Sequence, residues 1–271
     1  DSRLGAAKLE SARNFANKLW NASRYVVSSL KDAENLEEWY GLPWPQHRED
    51  RWILSRLNRI TESVRVQWES YQLGEAQRQI HDFIWGELCD WYIELAKIRM
   101  NLGDTAPLGV LAHVLERTLR LLHPFMPFIT EEIWQNLRAR LPREGELPES
   151  LMIALYPQGD LALLDQEAET EMGLVTEVVR AIRNARAEFR LEPQRWLDAL
   201  VDAPNAQTVL TEERSAVQHM ARLQSLHFVD GGASELPSDS ITLVLDRVAV
   251  TLSLGGLVDV DAEAVGCLVP F

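Results

Sequence analysis

The residues best suited to recognising a partner lie near the start of the chain. Arg13, Asn14, Asn17, Lys18, Asn21 and Arg24 fall in a stretch, Ser11 to Lys31, that holds no acidic residue. Arg13, Asn17, Asn21 and Arg24 follow steps of four, four and three, which place them in one stripe of a helix; Asn14 and Lys18 make a parallel row. Arginine and asparagine offer donors to phosphates and to base edges, and an exposed Phe or Trp beside them could stack on an unpaired base. A solvated helix face carrying its asparagines by chance has the same pattern. A second cationic row lies far along the chain. Arg180, Arg183, Arg186 and Arg190 fall on one flank of a helix, with Glu177 and Glu188 on the other side. Such a flank could contact a nucleic-acid backbone, and it could equally be a packing or salt-bridge surface.

These stripes stand out because the chain as a whole is acidic. Its 271 residues carry 41 acidic against 27 basic side chains, a net charge of -14. That total argues against a non-specific nucleic-acid binder and leaves room for one basic face on an acidic body. Cys89 and Cys267 are the only cysteines, too few for a disulfide framework or a four-cysteine metal site, and no CxxC occurs. The six histidines are scattered without an HxxxH pair, so no metal site is expected, and His81 and His113 fall in helical patterns. No apolar run approaches a membrane span and nothing like a signal peptide opens the chain, so a reducing, cytoplasmic setting without membrane contact is expected. GxGxxG, GxxxxGK[ST], GxSxG and HExxH are all absent. Glu131-Glu132 is adjacent on a helix and so diverges rather than forming an acid–base pair. No catalytic residue is assigned.

The elements that must position the stripes are mainly helical. Leu9, Ala12, Phe15, Ala16, Leu19, Ala22, Val26 and Leu30 recur at three- and four-residue steps and define an amphipathic helix. Lys31 to Glu49, rich in Trp, Pro and Gly, reads as a connection wrapped over the core. Asp50 is a plausible N-cap for a second helix with Ile53, Leu57, Ile60, Val64 and Trp68 inward. Leu73 to Arg99 reads as one long buried helix that tolerates Gly86; Lys97 and Arg99 at its end suit the helix dipole. Leu108 to Leu122 is a fourth helix. It leads into the corner His123-Pro124-Phe125-Met126-Pro127-Phe128, where two prolines break the hydrogen-bond ladder and large apolar residues should make a buried bend. A fifth helix follows to about Leu141. Long amphipathic helices with short joints make an antiparallel bundle.

Pro142 to Pro148 breaks the pattern and marks a boundary. Beyond it, Leu151 to Leu155 reads as a short strand, and a helix with Leu174, Val178, Ile182, Ala185 and Phe189 inward follows. Strands are expected at Trp196–Val201, Leu226–Val229, Ile241–Leu245 and Val248–Leu254, with a weak helix over Thr211–Leu223 and a further helix starting near Val260. The expectation is therefore a mainly α protein: an antiparallel bundle over 1–145, a small α+β domain over 146–264, and a tail over 265–271.

Four phrases, in this order and at this spacing, carry a family resemblance. They are Arg13-Asn14-Phe15-Ala16-Asn17-Lys18-Leu19-Trp20-Asn21-Ala22, Asp50-Arg51-Trp52-Ile53-Leu54-Ser55-Arg56-Leu57-Asn58, Cys89-Asp90-Trp91-Tyr92-Ile93-Glu94-Leu95-Ala96-Lys97, and the corner from His123 to Trp134. Together they resemble the anticodon-binding portion of class I aminoacyl-tRNA synthetases, the valyl-tRNA synthetases in particular. Ile182 to Glu188 and Leu254 to Asp259 look like the junction region of the same family.

The resemblance implies a bundle that grips the anticodon stem-loop of valine tRNA. Catalysis, ATP and Mg would belong to a separate catalytic domain of the same enzyme, whose HIGH and KMSKS motifs do not occur here. No cofactor is therefore expected on this chain, which should not activate valine alone and is expected to be a monomer. On matching positions, Phe15 is the residue expected to stack on an anticodon base. Arg13, Asn14, Asn17 and Lys18 follow as donors, and Lys97 and Arg99 are further positions. The family's coiled-coil arm is not matched by Ala264 to Phe271, where Gly266 and Pro270 interrupt a helix. The alternative is a helical interaction or scaffold module with no significant RNA affinity of its own, which the acidic total favours.

Overall fold

The computed structural model describes residues 5–33, 36, 47–142, 147–229, 240–254 and 269–270. The chain divides into two compact units, Asp1–Glu169 and Thr170–Phe271.

The first unit is the helical bundle. Helix α1 (Ala6–Ser29) buries Phe15, Leu19, Ser23 and Val26. Helix α2 (Arg48–Glu69) follows, then α3 (Leu73–Asp82), a π-helical segment (Phe83–Tyr92) and α4 (Ile93–Asn101). The last two helices of the bundle are α5 (Pro107–Leu122) and α6 (Pro127–Arg138). Helix α1 packs against α5, α6 and the π segment, and α2 against α3 and α5. The core is built on Trp134, Tyr92, Phe83, Leu19, Ile53 and Leu111, all nearly inaccessible. Each such side chain contributes about 1.5–3 kcal/mol through burial.

The bundle departs from the sequence reading in three places. The 73–99 helix is continuous but not uniformly α-helical: Phe83–Tyr92 widens to π geometry, with Gly86 inside it. Glycine weakens the α ladder there, and the wider turn keeps Ile84, Leu88 and Tyr92 buried together. Asp50 is not an N-cap, since α2 is capped at His47. Its carboxylate instead accepts from Tyr92 Oη at 2.7 Å and pairs with Arg99 at 2.7 Å. The proline corner is only partly buried: Pro124 and Pro127 are exposed, and Phe128 is 90% exposed. Pro127 takes the first helical position of α6, where its missing N–H costs nothing. His123 Nδ1 lies 2.8 Å from Thr130 Oγ1 and closes the bend.

Residues 147–169 belong to the bundle, so the division between units lies later than the 145/146 boundary read from the sequence. Side chains remote in sequence pin this connector. Trp134 donates to Pro148 O at 3.2 Å, Arg117 to Gln158 O at 2.9 Å, and Asp160 N donates to Asn58 Oδ1 at 2.7 Å. At Gly159 a Cβ would stand 2.6 Å from Glu62 Cγ and 2.9 Å from Asn58 O, so only glycine lets the connector approach α2. The segment read as a strand at Leu151–Leu155 is a 3₁₀ turn, Leu151–Ile153, capped by Ser150 Oγ. Helix α7 (Gln166–Glu188) then crosses into the second unit; Asp165 Oδ1 caps its start by accepting from Ala168 N at 2.8 Å.

The second unit is α+β. Strands β1 (Leu197–Asp202), β2 (Leu223–Phe228), β3 (Ser240–Val244), β4 (Ala249–Ser253) and β5 (Val269–Pro270) lie in the order β2-β1-β4-β3-β5. β1 runs parallel to β2 and antiparallel to β4; β3 and β4 form an antiparallel hairpin across Asp246-Arg247. Leu197, Ala199 and Val201 alternate inward along β1. The weak helix resolves into two short ones, α8 (Gln207–Glu212) and α9 (Arg214–Ala221). Of the tail, only Val269–Pro270 is described, paired with β3; the helix expected near Val260 lies outside the described residues.

Candidate nucleic-acid interface

Helix α1 presents two faces of opposite character. The inward face carries Phe15, which is only 5% exposed. Its ring centroid lies 4.4 Å from that of His81 and 6.5 Å from that of Trp85. Phe15 is thus committed to an intramolecular aromatic stack and, as placed, presents no open ring to a base. The reason lies in its phase: Phe15, Leu19, Val26 and Leu30 share the buried row.

The outward face carries Arg13, Asn14, Asn17, Asn21 and Arg24, all exposed. Trp20 sits among them, three residues after Asn17 and four before Arg24, and is 39% exposed. A half-open indole flanked by amide and guanidinium donors is the arrangement that stacking on an unpaired base requires. Arg13 approaches only Glu10, at 3.9 Å with both side chains well exposed, a pair worth little. Arg24 makes no ion pair among the described residues.

This face continues into a groove of about 440 Å³ between the C-terminal halves of α1 and α6. Trp20, Ser23, Arg24, Lys31, Asn136 and Arg140 line it. Ser23 is 1% exposed, and its Oγ has no hydrogen-bond partner among the described residues. A buried hydroxyl without a partner carries a penalty of about 1–3 kcal/mol. The groove thus joins an aromatic platform, three cations and an unsatisfied hydroxyl. Sequence reasoning did not single out Trp20, Ser23, Lys31, Asn136 or Arg140. The position of Trp20 at helical spacing between Asn17 and Arg24 was a usable signal; the approach of Arg140 and Asn136 depends on how α6 packs on α1.

Three other candidate cations of the first unit, Lys18, Lys97 and Arg99, are tied to carboxylates. Lys18 Nζ lies 2.5 Å from Asp90 and 3.9 Å from the centre of the Trp85 ring. Lys97 pairs with Glu94 at 2.7 Å and lies over Tyr25. Arg99 is a structural residue. Its guanidinium lies 3.0 Å from Glu49, 2.7 Å from Asp50 and 2.7 Å from Asp104, nearly out of solvent. Burial alone would lower the Arg99 pKa; Asp50 and Glu49 outweigh it and raise it. Burial raises the Asp50 carboxyl, and Arg99 opposes that rise. So enclosed, Arg99 has its charge met within the fold rather than turned to solvent.

In the second unit, Arg180, Arg183 and Arg190 are exposed on or just past α7, and Arg186 is not. Arg186 turns inward and donates to Glu192 O at 3.2 Å and to Arg195 O at 2.5 Å. A cavity of about 700 Å³ also opens in this unit, but Glu171, Asp202 and Asp246 line it against a single arginine, Arg247, which disfavours an anionic ligand. Among the described residues, no cluster of His, Cys, Asp and Glu could hold a metal ion, and no helix is long and apolar enough to cross a membrane.

Sequence comparison places the bundle in a known family. Residues 50–201 match the family described as the anticodon-binding domain of tRNA ligase, and the chain belongs to that family. Among individual proteins it is similar to valine–tRNA ligases. It is 46% identical over 269 residues to that of Dehalococcoides mccartyi, 40% over 281 residues to that of Symbiobacterium thermophilum, and 38% over 269 residues to that of Geobacillus stearothermophilus. Each match covers 97% of this chain, and the chain spans about 30% of the length of these relatives.

Proposed function

We propose that this chain is the tRNA-binding module of a valine–tRNA ligase, and that the outward face of α1, with the groove beside α6, receives the anticodon stem-loop of valine tRNA. The observation that carries this reading is Trp20: an exposed indole on the outward helix face, between Asn17 and Arg24 and at the mouth of a cationic groove. In this role Trp20 stacks on an unpaired loop base. Asn14, Asn17 and Asn21 donate to base edges, and Arg13, Arg24, Lys31 and Arg140 neutralise phosphates. Lys18 and Lys97, both partnered by carboxylates, are secondary.

The module binds and positions; it does not activate valine. ATP and Mg act in the catalytic domain of the same enzyme, which is the module's second partner. The chain itself is a cytoplasmic monomer. The test is binding of the valine anticodon stem-loop, and of stem-loops with altered anticodons, at two salt concentrations. Binding that weakens steeply with salt and favours the valine anticodon supports the reading. Absence of binding, or indifference to the anticodon, overturns it in favour of a scaffold role.

A further inference from the structure

The second unit contains a corner where several arginines converge. Arg190 lies two residues past the end of α7, with a φ of 49°, and Arg222 directly follows α9, with a φ of 57°. Both occupy the left-handed position that helix C-termini ordinarily give to glycine or asparagine, and a side chain there is unfavourable. The two ends meet at one loop. Arg186 holds the carbonyls of Glu192 and Arg195 from one side, and Arg222 donates to the carbonyl of Pro193 from the other. Leu197 N donates to Arg222 O at 3.2 Å, which sets Arg195 and the 48%-exposed Trp196 beside the same turn. Arg183 donates to Met220 O at 2.9 Å, just before that turn.

The charges here are not balanced locally. Arg186, Arg190, Arg195 and Arg222 make no ion pair among the described residues. Arg186 is 8% exposed, and its Nη1 has no hydrogen-bond partner among the described residues. Burial lowers its pKa, and the next influence on it is the charge of Arg222 rather than any carboxylate. Like charges gathered at one loop repel one another, and an anion bound among them relieves that repulsion. The helix dipole accounts for a cation at each helix end. It does not account for arginine where the backbone favours glycine, twice, at one loop.

We infer that the corner formed by Arg190, Arg195 and Arg222, with Arg186 buried behind them as a further positive charge, binds the sugar–phosphate backbone of RNA, with Trp196 as a flanking surface. Each guanidinium carries five donors in a planar fork matched to phosphate oxygens, and the contacts to the 192–195 loop use only some of them. The site is separate from the α1 face and reads no sequence, and the inference rests on the tRNA-binding reading of the chain.

The experiment uses the full chain, a full-length valine tRNA transcript and the isolated anticodon stem-loop. The test variant is Arg190→Gly combined with Arg195→Gln. Glycine suits a φ of 49° better than arginine, so thermal stability is expected to be unchanged or raised. Affinity for the full tRNA is expected to fall about 10-fold, and the dependence of log K on log salt to flatten by about 1 to 2. Unchanged affinity and salt slope in this variant, while wild type still binds the stem-loop, overturn the corner alone. Failure of wild type to bind either RNA overturns both readings. Loss of affinity only in parallel with loss of stability assigns these arginines to the fold and also overturns the proposal.

Discussion

Two cationic regions of the bundle look alike in sequence and differ in structure. Arg24 and Arg99 each sit on a helix among apolar residues. Arg99 is enclosed by Glu49, Asp50 and Asp104, while Arg24 lines an open groove beside Trp20. A cation can hold an external anion only if the fold has not already supplied one. The partners of Arg99 come from 49 and 50 residues earlier in the chain and from 5 residues later, so the two longer pairings could not be read from local pattern. The face of α1 is different: the lack of acids from Ser11 to Lys31 is local, and it was legible.

The comparison breaks most severely at Arg99. Arg99→Leu is expected to leave Asp50 and Glu49 buried without a counter-charge and to cost about 3–5 kcal/mol in denaturant unfolding of the chain. Its effect on RNA affinity should be no larger than the loss of folded protein explains. A selective loss of RNA binding with stability intact would move Arg99 back to the interface. Phe15→Ala is next. It opens a cavity against His81 and Trp85 and is expected to cost about 3 kcal/mol of stability; a stable variant with weakened binding would restore the ring to the role that family resemblance implied for it.

His113 sharpens the same rule from the other side. It is buried, and its pKa is pushed down to about 4, by burial first and then by the charges of Arg117 and Arg120. With no acid to hold its proton, it stays neutral in the fold. Its folded value lies below the ordinary histidine value, so its contribution is complete above about pH 6.5 and is lost as pH falls toward 4. The loss is at most about 3 kcal/mol. His113→Leu should flatten the stability profile between pH 6.5 and 4, and an unchanged slope would place the titration elsewhere.

The rest of the fold was legible in proportion to how local its causes are. The rows Leu19–Val26–Leu30 and Ile53–Leu57–Val64 set the helices, and alternation in β1 set a central strand. The attachment of residues 147–169 to the bundle was not legible, because it follows from tertiary contacts such as Asn58 with Asp160; the π geometry of Phe83–Tyr92 keeps the same buried residues as an α-helix would, so the apolar pattern does not report it. At the interface, resemblance pointed to Phe15 where periodicity alone separated it from Trp20. Phe15 keeps phase with Leu19 and Val26; Trp20 keeps phase with Asn17 and Arg24.

That difference in phase is tested most directly by Trp20→Ala, with stem-loop affinity and thermal stability measured on the same preparations. The expected result is a loss of about 1–3 kcal/mol in binding to the valine anticodon stem-loop, with the melting temperature essentially unchanged. Full affinity in Trp20→Ala, at unchanged stability, would contradict the assignment of the outward α1 face as the surface that meets RNA.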